Sequence, residues 1–529
     1  MNRLSINFAW TALNLAGRAL LLSLCVTAIG CAVNPVTGEN ELSLVSVSQE
    51  IAIGEQQYGP SQQSQGGLYY LDPGLQSYVA DVGMKLAKVS HQPDLPYEFV
   101  VINSAIPNAW ALPGGKIAVN RGLLTELEDE AQLAAVLGHE IVHAAARHSA
   151  AQMTRGTLVG LSAQLATIAA ANYGYGDLGN LASQVGGAAI MAKYGRDDEL
   201  ESDDYGMQYM ARAGYNPEAA VDLQETFVRL SKNREQDFIS GLFASHPPSS
   251  ERVEANRQRA AQMPGGERFR ERYQQRIAQL KRDAPAYEAQ EKAMSALEDK
   301  NADAALKYLD TAVKLQPEEA QFWEMRGHAW AMKKSEQQAE KAYSTATRKN
   351  PDLFSPWLYR GVTRYRQGEL SGARDDLASS YRLLPTATSA YYLGDIFLQL
   401  GGEDEAAKYL KQAMRSKDRE LAMAAYNKLA LIELDEAPHK YIASQPFVGK
   451  GGYLFIAVKN TTSFPVKAVR VELVDMSSAD TARRSQVITR GFSLAPEQQI
   501  EFSTGIGPFQ DPRSAQRFRT RVVVARHAK

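Results

Sequence analysis

The chain has little cysteine: two in 529 residues, Cys25 and Cys31, both close to the N-terminus. Two thiols so near one end cannot staple a fold of this length, so the core must hold by apolar burial. An excess of either charge is also missing. The 58 basic and 60 acidic residues leave a net of −2, which gives no support to nucleic acid as a partner. Long apolar runs are scarce too. "ALLLSLCVTAIG" (19–30) is shorter than the roughly 20 residues a bilayer takes. The 14 residues from Leu158 to Ala171 read as a core helix for the same reason. What remains is ordinary globular composition, 44% hydrophobic and 22% charged, over a length that calls for several domains.

The first apolar run follows Arg18 and ends in small residues, the pattern of a secretory signal over 1–30. Its end, "AIGC", resembles a bacterial lipobox, with Ala28 where leucine is usual. The resemblance implies that Cys31 is lipidated, that the mature chain carries no free thiol, and that acyl chains anchor it to a membrane. By the same likeness, Ala32 in second place implies the periplasm and the inner leaflet of the outer membrane. Residues 31–47 read as a turn-rich tether.

A first domain is expected over 48–282. Helical patterning starts near Ser48 and recurs over Leu75–Val89. "YEFVVINS" (97–104) reads as a strand, and "NAWALPGGKIAVNRGLL" (108–124) as strand, turn, strand. "ELEDEAQLAAVLGHEIVHAAARHS" (126–149) is periodic as a helix, and its acidic start suits the positive end of the helix dipole. The five glycines of 172–187 predict a loop. Helices resume from Ala188 to about Leu280, broken at Gly214–Pro217 and at "SHPPSS".

The chemistry is carried by the periodic helix. His139 and His143 are four apart, so both imidazoles lie on one face and can reach one metal ion. Glu140 adjoins them, close enough to hold a water. This is the HExxH pattern of zinc hydrolysis. A catalytic zinc needs a third protein ligand and an open position. Position 149 is serine, so no histidine stands six places after His143. His148 falls about 140° round a continuous helix and is expected to point elsewhere. "DELESDD" offers Glu199, Glu201, Asp203 and Asp204 on a second helix.

"HEIVH" followed some sixty residues later by "ELESD" resembles the zinc metallopeptidases of the HtpX, Oma and CAAX-prenyl-protease family. Their downstream motif, E-x-x-A-D, falls here on Glu199, with Ser202 in place of alanine and Asp203 matching the aspartate. The resemblance implies one Zn2+ per chain held by His139, His143 and Glu199. Asp203, one turn from Glu199, is placed to orient a ligand imidazole. Glu201 faces off and is expected to be solvated. By the same resemblance, the segment with Asn108, Trp110, Ala111, Leu112 and Lys116 supplies an edge strand for an extended peptide. "SHPPSSER" matches S-H-P-x-x-x-x-R. This implies that His246 approaches the open metal position, either stabilising the transition state or plugging the site. Arg252 would face the substrate carbonyl or the ligand carboxylate.

From 283 to 435 the chain repeats. Pro317, Pro351 and Pro385 are 34 residues apart, as are Trp323 and Trp357, and Gly327 and Gly361. Small residues Ala305, Ala339 and Ala373 keep the period, and so do Leu309, Tyr343 and Leu377. This resembles four tetratricopeptide repeats, the fourth one residue short, closed by a capping helix from Arg419 to Leu434. Residues 438–529 hold five alternating segments and predict a small all-β, sandwich-like domain. The expected fold class is therefore multidomain: a mainly α zincin-like peptidase with a small β element, an α-solenoid and the β domain.

Leader, peptidase and repeats in that order are similar to the β-barrel assembly-enhancing proteases of the bacterial envelope. That implies a zinc endopeptidase (Glu140 as base, His246 and Arg252 assisting) acting on misfolded or unassembled envelope proteins. The repeats would bind clients or the outer-membrane assembly machinery. The alternative is a chaperone or scaffold whose zinc site is silent.

Overall fold

The computed structural model describes residues 31–157, 194–233, 246–477 and 485–528. The expected signal segment, the core helix of 158–171 and the glycine-rich loop of 172–187 lie outside the described residues. Two compact units divide the chain. The first runs to Ser335 and includes Thr345–Leu353; the second holds Glu336–Ser344 and everything from Phe354 on.

The first unit opens with an antiparallel ribbon, β1 (Cys31–Val33) and β2 (Asn40–Leu42). The segment 31–47 is not the loose tether expected. The Asn34 amide donates to Glu201 Oε1 at 3.2 Å, and Arg147 Nη2 donates to the Val45 carbonyl at 2.7 Å. Helices α1 (Val47–Ser64) and α2 (Pro73–Ala87) follow. Ser46 caps α1 in a reciprocal box with Gln49, and Asp72 caps α2, so each helix begins where its first amides find an acceptor.

β3 (Glu98–Ile102), β4 (Ala109–Leu112) and β5 (Lys116–Asn120) form a mixed sheet in the order β3-β5-β4. β4 is an edge strand, as expected. Lys116 is not on it: it sits on the central strand β5 and is ion-paired with Glu98. After the short α3 (Arg121–Leu124), α4 (Glu130–Ala145) carries the HExxH residues. Asp129 is its N-cap, accepting from Gln132 N. Every residue of α4 is buried, and α5 (Arg196–Arg212) and α6 (Glu218–Asn233) pack on it, while α7 (Ser250–Ala260) packs on α5 and α6.

α8 (Arg270–Arg276) leads into the repeats, beginning with α9 (Ala278–Glu298), α10 (Ala302–Leu315) and α11 (Ala320–Met332). No physical break falls at residue 283. Glu319, fully buried, accepts from the Asn103 amide and the Tyr287 hydroxyl, both at 2.9 Å. The Arg121 guanidinium lies 3.3 Å from the centre of the Tyr287 ring. The Tyr70 hydroxyl donates to the Glu318 carbonyl and accepts from Ala320 N at 2.7 Å. The first helices of the repeat array are thus packed into the peptidase.

Helix α12 (Glu336–Lys349) straddles the division between the units. The second unit continues with α13 (Phe354–Arg366), α14 (Leu370–Leu383), α15 (Ala387–Gln399), α16 (Glu403–Ala413) and the capping α17 (Arg419–Glu433). The small and large positions that keep the 34-residue period are those buried in the structure. Ala339, Ala373 and Ala406 are fully buried, as are Leu377 and Leu410.

The β domain is a sandwich of two three-stranded antiparallel sheets. One has the order β10 (Gln499–Ser503), β7 (Leu454–Asn460), β6 (Ile442–Val448). The other is β11 (Phe518–His527), β8 (Val466–Asp475), β9 (Ser485–Leu494). Six strands stand where five were expected. β6 carries Pro446, which a central strand would not tolerate, and it lies at a sheet edge. The sandwich core is shared with Ala430 of α17 and with Leu434 just past its end.

Glu433 strengthens that seam, with Lys440 Nζ at 2.8 Å and the Tyr441 hydroxyl at 3.0 Å, and Lys411 beside it. Partial burial raises its pKa, but these partners outweigh that and hold the carboxyl at about 2. A carboxyl depressed in the fold adds stability above its unfolded pKa, and that stability is lost as pH falls through the folded value. Glu433→Gln is therefore expected to lower the melting temperature at pH 6. The difference from wild type should close between about pH 4.5 and 2, as followed by circular dichroism.

Candidate metal centre

Glu199 and His139 come from helices 60 residues apart in sequence, so a close crossing of α4 and α5 has to bring them together. Two glycines permit it. A Cβ on Gly206 would stand 3.0 Å from His139 N, and one on Gly138 would stand 3.1 Å from the Gly206 carbonyl oxygen. Backbone meets backbone here, one residue from the first histidine of HExxH. Neither glycine is conspicuous in the sequence; the only signal was its place beside the motif on each helix.

His139, His143, Glu199 and His246 each direct one donor atom to a common point, all within 4.8 Å of one another. The Nε2 atoms of His139 and His143 are 3.0 Å apart. Glu199 Oε1 is 3.5 Å from His143 Nε2, and Oε2 is 3.6 Å from His139 Nε2. The Nδ1 of His139 faces Asp203 Oδ1 at 2.9 Å, so it carries the proton and its Nε2 lone pair points inward. Burial pushes His143 well below the usual histidine range, with Glu199 opposing and His139 adding to the fall, so it too stays neutral.

Lone pairs converging without a proton between them are a donor set for a cation. Two imidazoles and a carboxylate are the set zinc takes, and Glu140 Oε2 is buried beside them with no hydrogen-bond partner among the described residues. These residues fit zinc.

Arg252 holds the carboxylates. Its Nε and Nη2 donate to the two oxygens of Asp203 at 2.7 Å each, and Nη1 is 2.7 Å from Glu199 Oε2. The last contact is an ion pair without hydrogen-bond geometry, since Glu199 Oε2 accepts no hydrogen bond. Burial raises the Asp203 pKa, but Arg252 and His139 outweigh it and bring it to about 2. Glu199 is likewise well below its usual range: burial opposes, while His246 and His143 prevail. Glu140 goes the other way, raised by burial.

His246 occupies the fourth side. Its Nδ1 is 2.8 Å from Glu199 Oε1 and 3.3 Å from His139 Nε2, and its Nε2 is 3.6 Å from Glu140 Oε1. Arg252 Nη1 also donates to the Pro247 carbonyl at 3.3 Å, tying the His246 loop to the ligand helix. Both residues predicted from "SHPPSSER" are therefore at the centre. Of the two roles left open for Arg252, the carboxylate contact is the one present.

His148 is not where a continuous helix would put it. Helix α4 ends at Ala145, and Arg147 adopts a left-handed φ of 63°, which turns the chain back. His148 Nδ1 then lies 2.9 Å from His143 Nδ1, and its Nε2 is 3.4 Å from Glu201 Oε1. Glu201, expected to be solvated, is a half-buried partner also held by Asn34. With Nε2 of His143 facing the metal position, its Nδ1–H donates to His148. His148→Ala is expected to weaken zinc affinity about 10–100-fold, the usual loss for such a partner, measured by competition with a chromogenic chelator. Tyr194, which the sequence reading did not single out, stacks on His143 with ring centres 3.8 Å apart.

On β4, Ala109 and Ala111 face the core shared with α4, while Trp110 and Leu112 face the other way. Trp110 packs edge-on against Tyr58 and donates its indole N–H to Gln65 at 3.2 Å. The Asn108 side-chain oxygen is buried without a partner. An apolar recess lined by Val136, Met207, Leu223 and Phe227 adjoins Glu140 and His246.

Comparison with known proteins agrees with this geometry. Residues 73–260 match the family described as Peptidase family M48, and residues 291–354, 337–388 and 358–419 match the tetratricopeptide repeat. Metalloprotease YcaL of Escherichia coli is 33% identical over 188 residues, which are 34% of this chain and 70% of that protein. Beta-barrel assembly-enhancing protease of Escherichia coli is 30% identical over 237 residues, 43% of this chain and 47% of that protein. A protein of Vibrio cholerae, described as a putative enzyme of that name, is 30% identical over 201 residues, 36% and 40% of the two chains. The matched residues thus span less than half of both assembly-enhancing relatives.

Proposed function

The chain belongs to peptidase family M48, a family of zinc metallopeptidases, and on that premise we propose that it is an endopeptidase of the bacterial envelope acting on misfolded or unassembled proteins. The observation that carries the reading is the convergence of four buried donor atoms beside an unsatisfied Glu140 oxygen. In this reading His139, His143 and Glu199 hold one Zn2+ per chain. Zinc, when bound there, supplies Lewis acidity to the peptide carbonyl and to the attacking water.

Glu140 takes the proton from that water and returns it to the departing amine. Burial raises its pKa, which favours its taking up a proton. Asp203 keeps His139 in the tautomer with Nε2 free, Arg252 keeps Asp203 ionised, and His246 and His143 keep Glu199 so. β4 offers main-chain groups to an extended substrate, a mode that tolerates varied sequence. His246 lies on the side a substrate needs, beside Glu199 and Glu140, where its imidazole either plugs the site at rest or donates to the developing oxyanion.

The repeats serve to hold unfolded clients or an outer-membrane assembly partner. The leader and Cys31 serve to anchor the chain by lipid to the periplasmic side of the outer membrane. No helix among the described residues is long and apolar enough to cross a membrane.

The test is incubation of the purified chain with an unfolded and a folded form of one polypeptide, with and without a zinc chelator. New internal termini only from the unfolded form, lost on chelation and restored by zinc, are expected. Binding without cleavage would replace this reading by that of a scaffold.

A further inference from the structure

The near-zero net charge of the chain hides a division. Residues 438–529 hold 14 of the 58 basic residues but 6 of the 60 acidic ones, a net of +8, which leaves −10 for the remainder. Five of these fourteen basic residues gather on one face of the sandwich. Along β11, Phe518, Val522 and Ala525 point into the core, so Arg519, Arg521 and Arg526 stand on the outer face. Along β8, Val466, Val469, Val471 and Leu473 point inward, leaving Lys467 and Arg470 outside. The register places Arg526 directly opposite Lys467, and Arg470 opposite Val524.

Like charges directly across a strand pair are destabilising. Among the described residues none of these five forms an ion pair. Glu472, which the register sets across from Arg521, accepts from Ser485 and forms no ion pair with that arginine among the described residues. The contact that Arg521 does make is with His439, at 3.4 Å. With one acid against five cations, this face keeps an excess of positive charge for an external partner.

We infer that this face of the β8–β11 sheet docks on the anionic phosphate headgroups of a phospholipid surface. The patch extends over two strands. Its outward side chains, including Val474 and Val524, contain no aromatic ring, so it lacks the stacking platform by which single-stranded nucleic acid is held. Guanidinium groups take phosphate in two-pronged fashion, and four of the five cations are arginine. The attraction acts within a Debye length and adds up over the charges engaged.

The experiment uses the full chain with Cys31→Ser, so that no acyl chain contributes. It is sedimented with phosphatidylcholine vesicles with and without phosphatidylglycerol, at low and high salt. Binding is expected only with phosphatidylglycerol and only at low salt. The exposed triple variant R470Q/R519Q/R526Q should bind about a hundredfold more weakly, near fivefold per charge, while R470K/R519K/R526K binds as the parent does. Circular dichroism and soluble-peptide cleavage verify that all variants fold. Failure of the parent to bind, equal binding by the glutamine variant, or tighter binding to duplex DNA at equal phosphate would each overturn the inference. None of these outcomes bears on the metal centre.

Discussion

Glu140→Gln is expected to lower the rate of peptide cleavage by about 10³-fold while zinc content stays at one per chain. Positioned acid–base groups contribute 10²–10⁴-fold, and this carboxylate is the one beside the donor set that is not tied to Arg252. Glutamine keeps the shape and can still contact water, but it cannot take a proton. Because the substituted atom is not among the converging donors, metal analysis separates this effect from loss of the ion. If cleavage persists at more than a tenth of the parent rate with zinc bound, Glu140 is not the base.

Gly206→Val is expected to remove zinc without touching any ligand. A Cβ at that position meets His139 N at 3.0 Å and Gly138 C at 3.1 Å, and these are backbone atoms that cannot rotate aside. The helices must part, and Glu199 and Asp203 move away from His139 with the turn that carries them. Overpacking of this kind costs roughly 1–3 kcal/mol, equivalent to a fall of about 1–5 °C in melting temperature for a unit of this size. Zinc content of the purified variant should fall to a small fraction of one per chain. Full occupancy would mean that the crossing does not set the site.

The ligands were legible because the chemistry demands them at helical spacing: His139 and His143 one turn apart, Glu199 and Asp203 one turn apart. The repeats were legible because burial recurs with the period, small at Ala373 and large at Leu377. His148 was misjudged because helical geometry was extended past Ala145, and the left-handed turn at Arg147 has no signal in its residue type. Lys116 was assigned to the wrong strand because a Pro-Gly-Gly hairpin gives two strands without saying which one lies at the edge. β6 was missed because Pro446 interrupts its pattern. The shared face of the β11 arginines is evident only after the register shows which side they point to.

Glu319 lies in the repeat array, yet its hydrogen bonds reach back to Asn103, just past β3. An engineer who grafts the catalytic half onto another adaptor must therefore carry α9 to α11 along. A cut at the apparent repeat boundary would strip the cover from Asn103 and Arg121 and turn a buried junction into a wet, sticky surface. Modules that look interchangeable along the string of letters are here welded, and shuffling in this lineage has to respect the weld.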